Sequence, residues 1–399
     1  MSGTVATADA GIAGAPVCAR RGLAWTPARI AAAVLGLYLG LTTLAYVSLR
    51  VHPAYTGARG AALLGHHGRL FDFFVAPWVR WDSFFFTGIA AHGYPHGVRL
   101  TSFYPGYPAL VRAAAAPLGA RGLAFDTAAV IVSVLATMLA LVALHAMVRG
   151  DLGAGLADRT VTYALLAPMT FFFLAPYSEG LFLLFSVVSL LAMRRGHTGW
   201  AALAAAAAAV TRPPGVLLVV PLAWEAYRRS AGARARLGAA LWLLLPVAAF
   251  AAWYAVAALV IGASPSDSER AFGAGPALPW AGLVDTLSGL VAHPAALLNT
   301  VAVLLTIAGG VALVRWRRVI PLSYGLVVLV ALVPMVFRHG PSYNPWLSAD
   351  RFAAVVFPLY VALAWWTRAR PHLHRAYLVV SPVLLAAAFS VYTYNRFVG

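Results

Sequence analysis

The run IAAAVLGLYLGLTTLAYVSL, residues 30–49, contains no charged residue. It has the length of a bilayer crossing, which takes about 20 apolar residues, and it exceeds the core of a cleaved signal peptide. It therefore reads as a signal anchor that stays attached, behind a cytoplasmic 1–29 tail that carries Arg20, Arg21 and Arg29. The remainder has the same character. Of 399 residues 62% are hydrophobic and only 10% charged, whereas soluble domains carry about 25% charged residues. The expected fold class is an all-α polytopic membrane protein, with residues 30–399 forming one transmembrane domain.

Further runs of spanning character are 125–148, 160–176, 237–262, 295–314, 319–337, 351–367 and 376–395. Three shorter ones, 180–193, 198–211 and 213–227, are kept because helices broken around a cavity are short. The expectation is about eleven spans, with the N-terminus inside and the C-terminus outside. All the basic residues are arginine, and the net charge is +17. Arg149, Arg194, Arg195, Arg228, Arg315 and Arg317 are scattered between apolar runs on the side assigned inside. This is the positive-inside pattern rather than a nucleic-acid patch. Cys18 is the single cysteine, which excludes an intramolecular disulfide and a thiolate metal cluster. Three outer segments, 51–124, 263–294 and 338–350, are longer than simple connections and so are candidates for function.

The first of these contains RWDSFFFTGIAAHGYPHGVRLTSFYPGYP, residues 80–108. On a helix Trp78, Asp82, Phe85, Phe86 and Ile89 share a face, as expected of a helix lying at the membrane surface. Asp82 is the leading candidate, a carboxylate beside apolar walls suited to act as general base. Arg80, two positions away, points elsewhere and is placed to meet a phosphate. Trp81, Tyr94 and Tyr104 either stack on a sugar or fix the loop. In PYSEG (176–180), Glu179 either opens a helix capped by Ser178 or contacts substrate. In TRPPG (211–215), Arg212 either snorkels to headgroups or clamps a phosphate. In NPWLSADRF (344–352), Asp350 reads as a cap and Arg351 as a second phosphate contact.

His66, His67, His92 and His96 lie in the first outer segment without a motif such as HExxH, so no metal site is expected. The triplet Asp267-Ser268-Glu269 is a weak acid-x-acid pattern. No nucleotide-binding glycine motif occurs, and no cofactor is expected.

RWDSFFFTGIAAHGY, then FYPGYP, PYSEGLFLLFS, TRPPG and DRFAAVVFPLYVALA, in this order across about residues 75–365, resemble the PIG-V family of mannosyltransferases and its bacterial relatives. The resemblance implies a C-type glycosyltransferase membrane fold and a polyprenyl-phosphate-linked sugar as donor. It also implies an acid of the first outer loop, matched by Asp82, as the base. The enzyme would sit in a bacterial plasma membrane with its site facing outward. Its partners would be membrane lipid, the donor and a hydroxyl acceptor of unknown kind. A lipid-linked-sugar flippase is the alternative, although transporters often show two related halves and no internal repeat is visible here.

Overall fold

The computed structural model describes residues 24–51, 67–289, 296–341 and 345–394. The tail to residue 23, with Cys18, Arg20 and Arg21, lies outside the described residues, as do His66 and Asn344. The described chain is helical apart from one two-residue antiparallel pair, Gly275–Pro276 with Arg338–His339. Five helices are long and apolar enough to cross a membrane: Pro27–Val51, Ala124–Leu152, Ala233–Ile261, Ala296–Arg315 and Pro371–Thr393. Thr198–Ala209 and Leu322–Val336 are apolar but shorter. An all-α membrane protein is therefore what the structure shows, and the count of eleven is not.

Proline breaks three of the expected spans. A residue before proline is driven out of the helical region, and proline itself lacks the N–H a helix interior needs. The expected span 160–176 splits accordingly. Its helix Ala154–Leu166 ends at an extended Ala167 before Pro168, and only a single turn, Phe171–Leu174, follows. The expected 213–227 begins as a tight 3-10 turn, Pro213–Leu218, and becomes α-helix only at Val219–Arg229. The expected 351–367 divides into Ala349–Ala354 and Pro358–Thr367.

Ala124–Leu152 is the central pillar. Its most apolar stretch is 61% buried, against 22% for Ala233–Ile261, which lies at the periphery. Glu179–Arg194 packs along this pillar, Thr198–Ala209 packs on Glu179–Arg194, and Ala233–Val256 packs on Thr198–Ala209. The alanine run 204–209 permits that close approach. Pro27–Val51 and Pro371–Thr393 close the other side.

The two ends of Glu179–Arg194 are both charged. They lie about 24 Å apart at 1.5 Å per residue. At its C-terminal end Arg194 pairs with Asp151 and with Glu225 (3.6 Å). Ser323 donates to Glu225 (2.6 Å) and Tyr324 to Asp151 (2.6 Å). This buried cluster ties Leu322–Val336 to the rest of the bundle. The N-terminal end of the same helix enters the candidate site.

Two motif glycines exist for contact. A Cβ on Gly215 of TRPPG would lie 2.3 Å from the Ala208 carbonyl carbon, and one on Gly106 of FYPGYP would lie 2.9 Å from the Val210 carbonyl oxygen. Both obstacles are backbone, which cannot swing aside. Gly215→Ala is therefore expected to destabilise by roughly 1–3 kcal/mol or more. Gly199→Ala, which meets only the Trp242 side chain at 3.5 Å, should be tolerated. Thermal unfolding of the two variants in detergent checks the contrast.

Candidate active site

The three long connections meet at one end of the bundle. Thr101 donates to the Ala263 carbonyl (3.0 Å), and Ser268 donates to the Arg99 carbonyl (2.8 Å). Phe85 packs on Phe103 and Phe272. Beneath them opens a cavity of about 1100 Å³, slightly above the usual range for small-molecule sites. Asp82, Arg212, Arg338, Arg351 and Glu269 supply charge to its lining, and Leu217, Leu218, Val327, Val330, Ala331 and Val333 supply apolar wall.

Asp82 is delivered by a strained turn. Trp81 has φ +50°, a left-handed conformation that costs a non-glycine residue about 1–2 kcal/mol. The surroundings hold it there. The Arg80 guanidinium, fully buried, donates to the carbonyls of Thr393 (3.0 Å), Ala76 (2.6 Å) and Val79 (2.7 Å). The Tyr177 hydroxyl accepts from the Asp82 N–H (3.2 Å) and donates to the Arg80 carbonyl (3.1 Å). Tyr392 donates to the Trp78 carbonyl (2.6 Å).

The helix expected through 78–89 consequently begins only at Ser83. Trp78 lies outside it in a separate turn, buried against Tyr38 and Phe389. Phe85 and Phe86 do face the cavity with Asp82. Arg80 is a correction to the sequence reading. Its side chain is committed to backbone, lies outside the cavity lining and is not placed to meet a phosphate.

Asp82, Glu179, Arg212 and Arg351, far apart in sequence, form one network. Arg351 Nη1 donates to Asp82 Oδ2 at 2.7 Å, and Arg351 Nε donates to Glu179 Oε1. Arg212 Nη1 reaches the same Glu179 oxygen at 2.6 Å. The Glu179 side chain has no exposure, whereas that of Asp82 remains 31% exposed. The Arg351 guanidinium also lies 4.7 Å from the Tyr177 ring centroid and 5.3 Å from that of Phe172, within cation–π range. Arg212 lies 4.9 Å from Phe352.

Ser178 occupies the N-cap position of the Glu179 helix but makes no capping bond; its hydroxyl accepts from Arg212 at 3.2 Å. The Arg351 turn is strained like that of Asp82, with Leu347 at φ +29° and Ser348 at +62°.

The aromatic candidates separate. Trp81 and Tyr104 line the cavity. Tyr104 packs on Phe250 and Trp253. Tyr94 does not line it: its hydroxyl donates to the Phe103 carbonyl and its ring lies on Trp253, so it fixes the loop. Asp267 is a capping-box residue, exchanging hydrogen bonds with Ser264 and pairing with Arg270. Its neighbour Glu269 faces the cavity and pairs with Arg338 at 3.5 Å. Glu269 and Arg338 were both missed as site residues. Among the described residues no three His, Cys, Asp or Glu side chains gather as metal ligands.

The described residues thus form apolar helices, several broken at prolines, around a cavity lined by charged and apolar side chains. Residues 68–228 match the family model described as Mannosyltransferase (PIG-V). This supports a PIG-V family mannosyltransferase and with it a membrane glycosyltransferase. The matched stretch includes Asp82, Glu179 and Arg212, while Arg338 and Arg351 lie beyond it. No curated protein gives a significant match to the chain.

Asp350 yields a pH prediction. Its N–H donates to Asn299 Oδ1 (2.9 Å), and its carboxylate accepts from the Arg351 N–H (2.6 Å). Burial raises its pKa from 3.8 to about 6. The folded state therefore prefers the protonated acid, and that contribution to stability is lost as pH rises through about 6. Asp350→Asn should match wild type near pH 4 and exceed it by about 1–3 kcal/mol above pH 6. Thermal unfolding across that range measures the gap.

Proposed function

We propose that the protein transfers a mannose-like sugar from a polyprenyl-phosphate donor to a hydroxyl of a lipid, glycan or protein, with Asp82 as the base. One observation carries this reading. A partly open carboxylate lies in a cavity lined by both charged and apolar side chains. That pairing suits an amphiphile whose phosphate and sugar stay polar while its chain is apolar. The proposal extends to an outward-facing site in a bacterial plasma membrane, and to shorter helices completing a topology of about eleven crossings.

In the reaction the acceptor O–H gives its proton to Asp82. The acceptor oxygen bonds to the anomeric carbon, and the bond from that carbon to the phosphate oxygen breaks with its electron pair left on phosphate. A single displacement inverts configuration. The charges follow. The donor is a phosphodiester with one negative charge, and the product monoester carries between about −1.5 and −2 at neutral pH. At rest Asp82 and Glu179 balance Arg212 and Arg351. Protonation of Asp82 leaves that quartet one positive charge in excess as the phosphate gains a negative one. Arg351, released from Asp82, is then free to stabilise the leaving group. Glu179 orients both guanidinium groups.

The test incubates purified protein and its Asp82→Asn variant with radiolabelled polyprenyl-phosphate-mannose and a membrane lipid extract. Label should enter a new product with wild type, and the variant should lose roughly 10²–10⁴-fold in turnover. Near-normal turnover by the variant would remove Asp82 as the base. Label crossing a reconstituted bilayer without transfer would replace the transferase with a flippase.

A further inference from the structure

The charged side chains of the cavity balance one another before any substrate enters. Asp82 and Glu179 offset Arg351 and Arg212 in contacts of 2.6–2.7 Å and one shorter still. Arg270 is held by Asp267 at 2.5 Å. A phosphodiester monoanion arriving in this space has no free counter-charge in those groups. One pair is looser. Arg338 and Glu269 approach only to 3.5 Å, and the Arg338 Nε that makes the approach has no hydrogen-bond partner among the described residues although it is buried. A buried guanidinium donor without an aligned acceptor is costly. Arg338 sits on the wall of the cavity, and its backbone is clamped by the short pairing with Gly275–Pro276. Its guanidinium faces the Phe352 ring (5.9 Å), the ring that Arg212 also faces at 4.9 Å. Burial, together with the nearby Arg351 charge, works against its own charge, and Glu269 offsets part of this.

We infer that Arg338 is the ground-state anchor of the donor phosphodiester, and that the phosphate takes it over from Glu269. This rests on the transferase reading above but is tested separately from it. The division of labour has a kinetic signature. Arg338 meets a charge that is already present when the donor binds, so most of its contribution is ground-state binding, with a smaller part added as the leaving phosphate gains charge. Losing mostly ground-state binding raises KM and leaves kcat little changed. Arg351 is freed only as Asp82 takes the proton, so its loss falls on kcat. The Glu269 carboxylate competes with the phosphate, and neutralising it has the opposite sign from neutralising Arg338.

The direct experiment needs no turnover. Binding of a polyprenyl methyl phosphate, a diester with one charge and no transferable sugar, is measured on detergent-purified wild type, Arg338→Gln and Glu269→Gln. The neutral polyprenol serves as control ligand. Arg338→Gln should weaken the diester roughly 10-fold to 100-fold, the worth of a charged hydrogen bond. Glu269→Gln should tighten it, and polyprenol should bind all three alike. Equal weakening by both variants would mean a structural ion pair and would overturn the inference. So would unaltered diester binding by Arg338→Gln, or failure of the wild type to bind the diester. Diester binding with the expected pattern but no sugar transfer by wild type would leave the anchor standing and remove the transferase instead. Where transfer does occur, the donor KM of Arg338→Gln should rise by the same factor at near-constant kcat; a fall in kcat alone would also overturn the assignment.

Discussion

The site depends on one oxygen atom, Oε1 of Glu179. It accepts from Arg351 Nε and from Arg212 Nη1, on a side chain with no exposure. A carboxylate taken wholly out of water is costly unless paired and hydrogen-bonded, and breaking such a group by removing one partner costs about 3–5 kcal/mol. That penalty fixes the geometry around it. The Glu179 helix must start at this depth, the 211–215 turn must bring Arg212 to it, and the 345–354 segment must bring Arg351. Arg351 then reaches Asp82 with its remaining arm. The base candidate is positioned through a residue 269 places away in the chain, so folding has to be complete before the site exists.

Two strained turns supply Asp82 and Arg351, and each is held by something rigid. Trp81 stands in the left-handed region between Arg80, anchored on three carbonyls, and Asp82, whose N–H meets Tyr177. Leu347 and Ser348 stand there just ahead of Asp350, whose N–H is taken by Asn299. Strain of this kind persists only where the surroundings over-determine it, and it concentrates at functional sites. Arg80 therefore matters to the site without touching the cavity. Its guanidinium is the peg from which the Trp81–Asp82 turn hangs.

Much of this was legible in the sequence because polar residues in an apolar chain are conspicuous. Asp82, Glu179, Arg212 and Arg351 each interrupt or border an apolar run, and all four converge. The helix breaks were harder. A hydropathy reading of 160–176 or 351–367 sees an unbroken apolar segment, while Pro168 and Pro358 interrupt the backbone without changing its polarity. The 78–89 helix failed at Trp81, a residue with no aversion to helices, whose positive φ is imposed by tertiary contacts. Arg338 and Glu269 were hidden for another reason. Arg338 follows an apolar helix directly and resembles a flanking arginine. Glu269 belongs to a triplet whose first member completes a capping box with Ser264. The pairing of Gly275–Pro276 with Arg338–His339 and the approach of Arg338 to Glu269 show that the two segments share a wall.

The prolines that break three of the expected spans also make the cavity possible. Backbone that is not helical is tolerated at membrane depth only where protein buries it or where it lines a polar cavity. The Pro213–Leu218 turn does this directly, contributing Pro213, Pro214, Leu217 and Leu218 to the cavity wall. Pro334 and Phe357 border it on the facing side. A bundle of uninterrupted helices would pack along its whole length and leave no place where a guanidinium and a hydrocarbon chain meet the same space. Breaking the helices at this end creates that place. The intact Glu179–Arg194 helix is fixed at its far end by the Arg194 cluster. The amphiphilic cavity follows from where the helices stop rather than from any one residue within it.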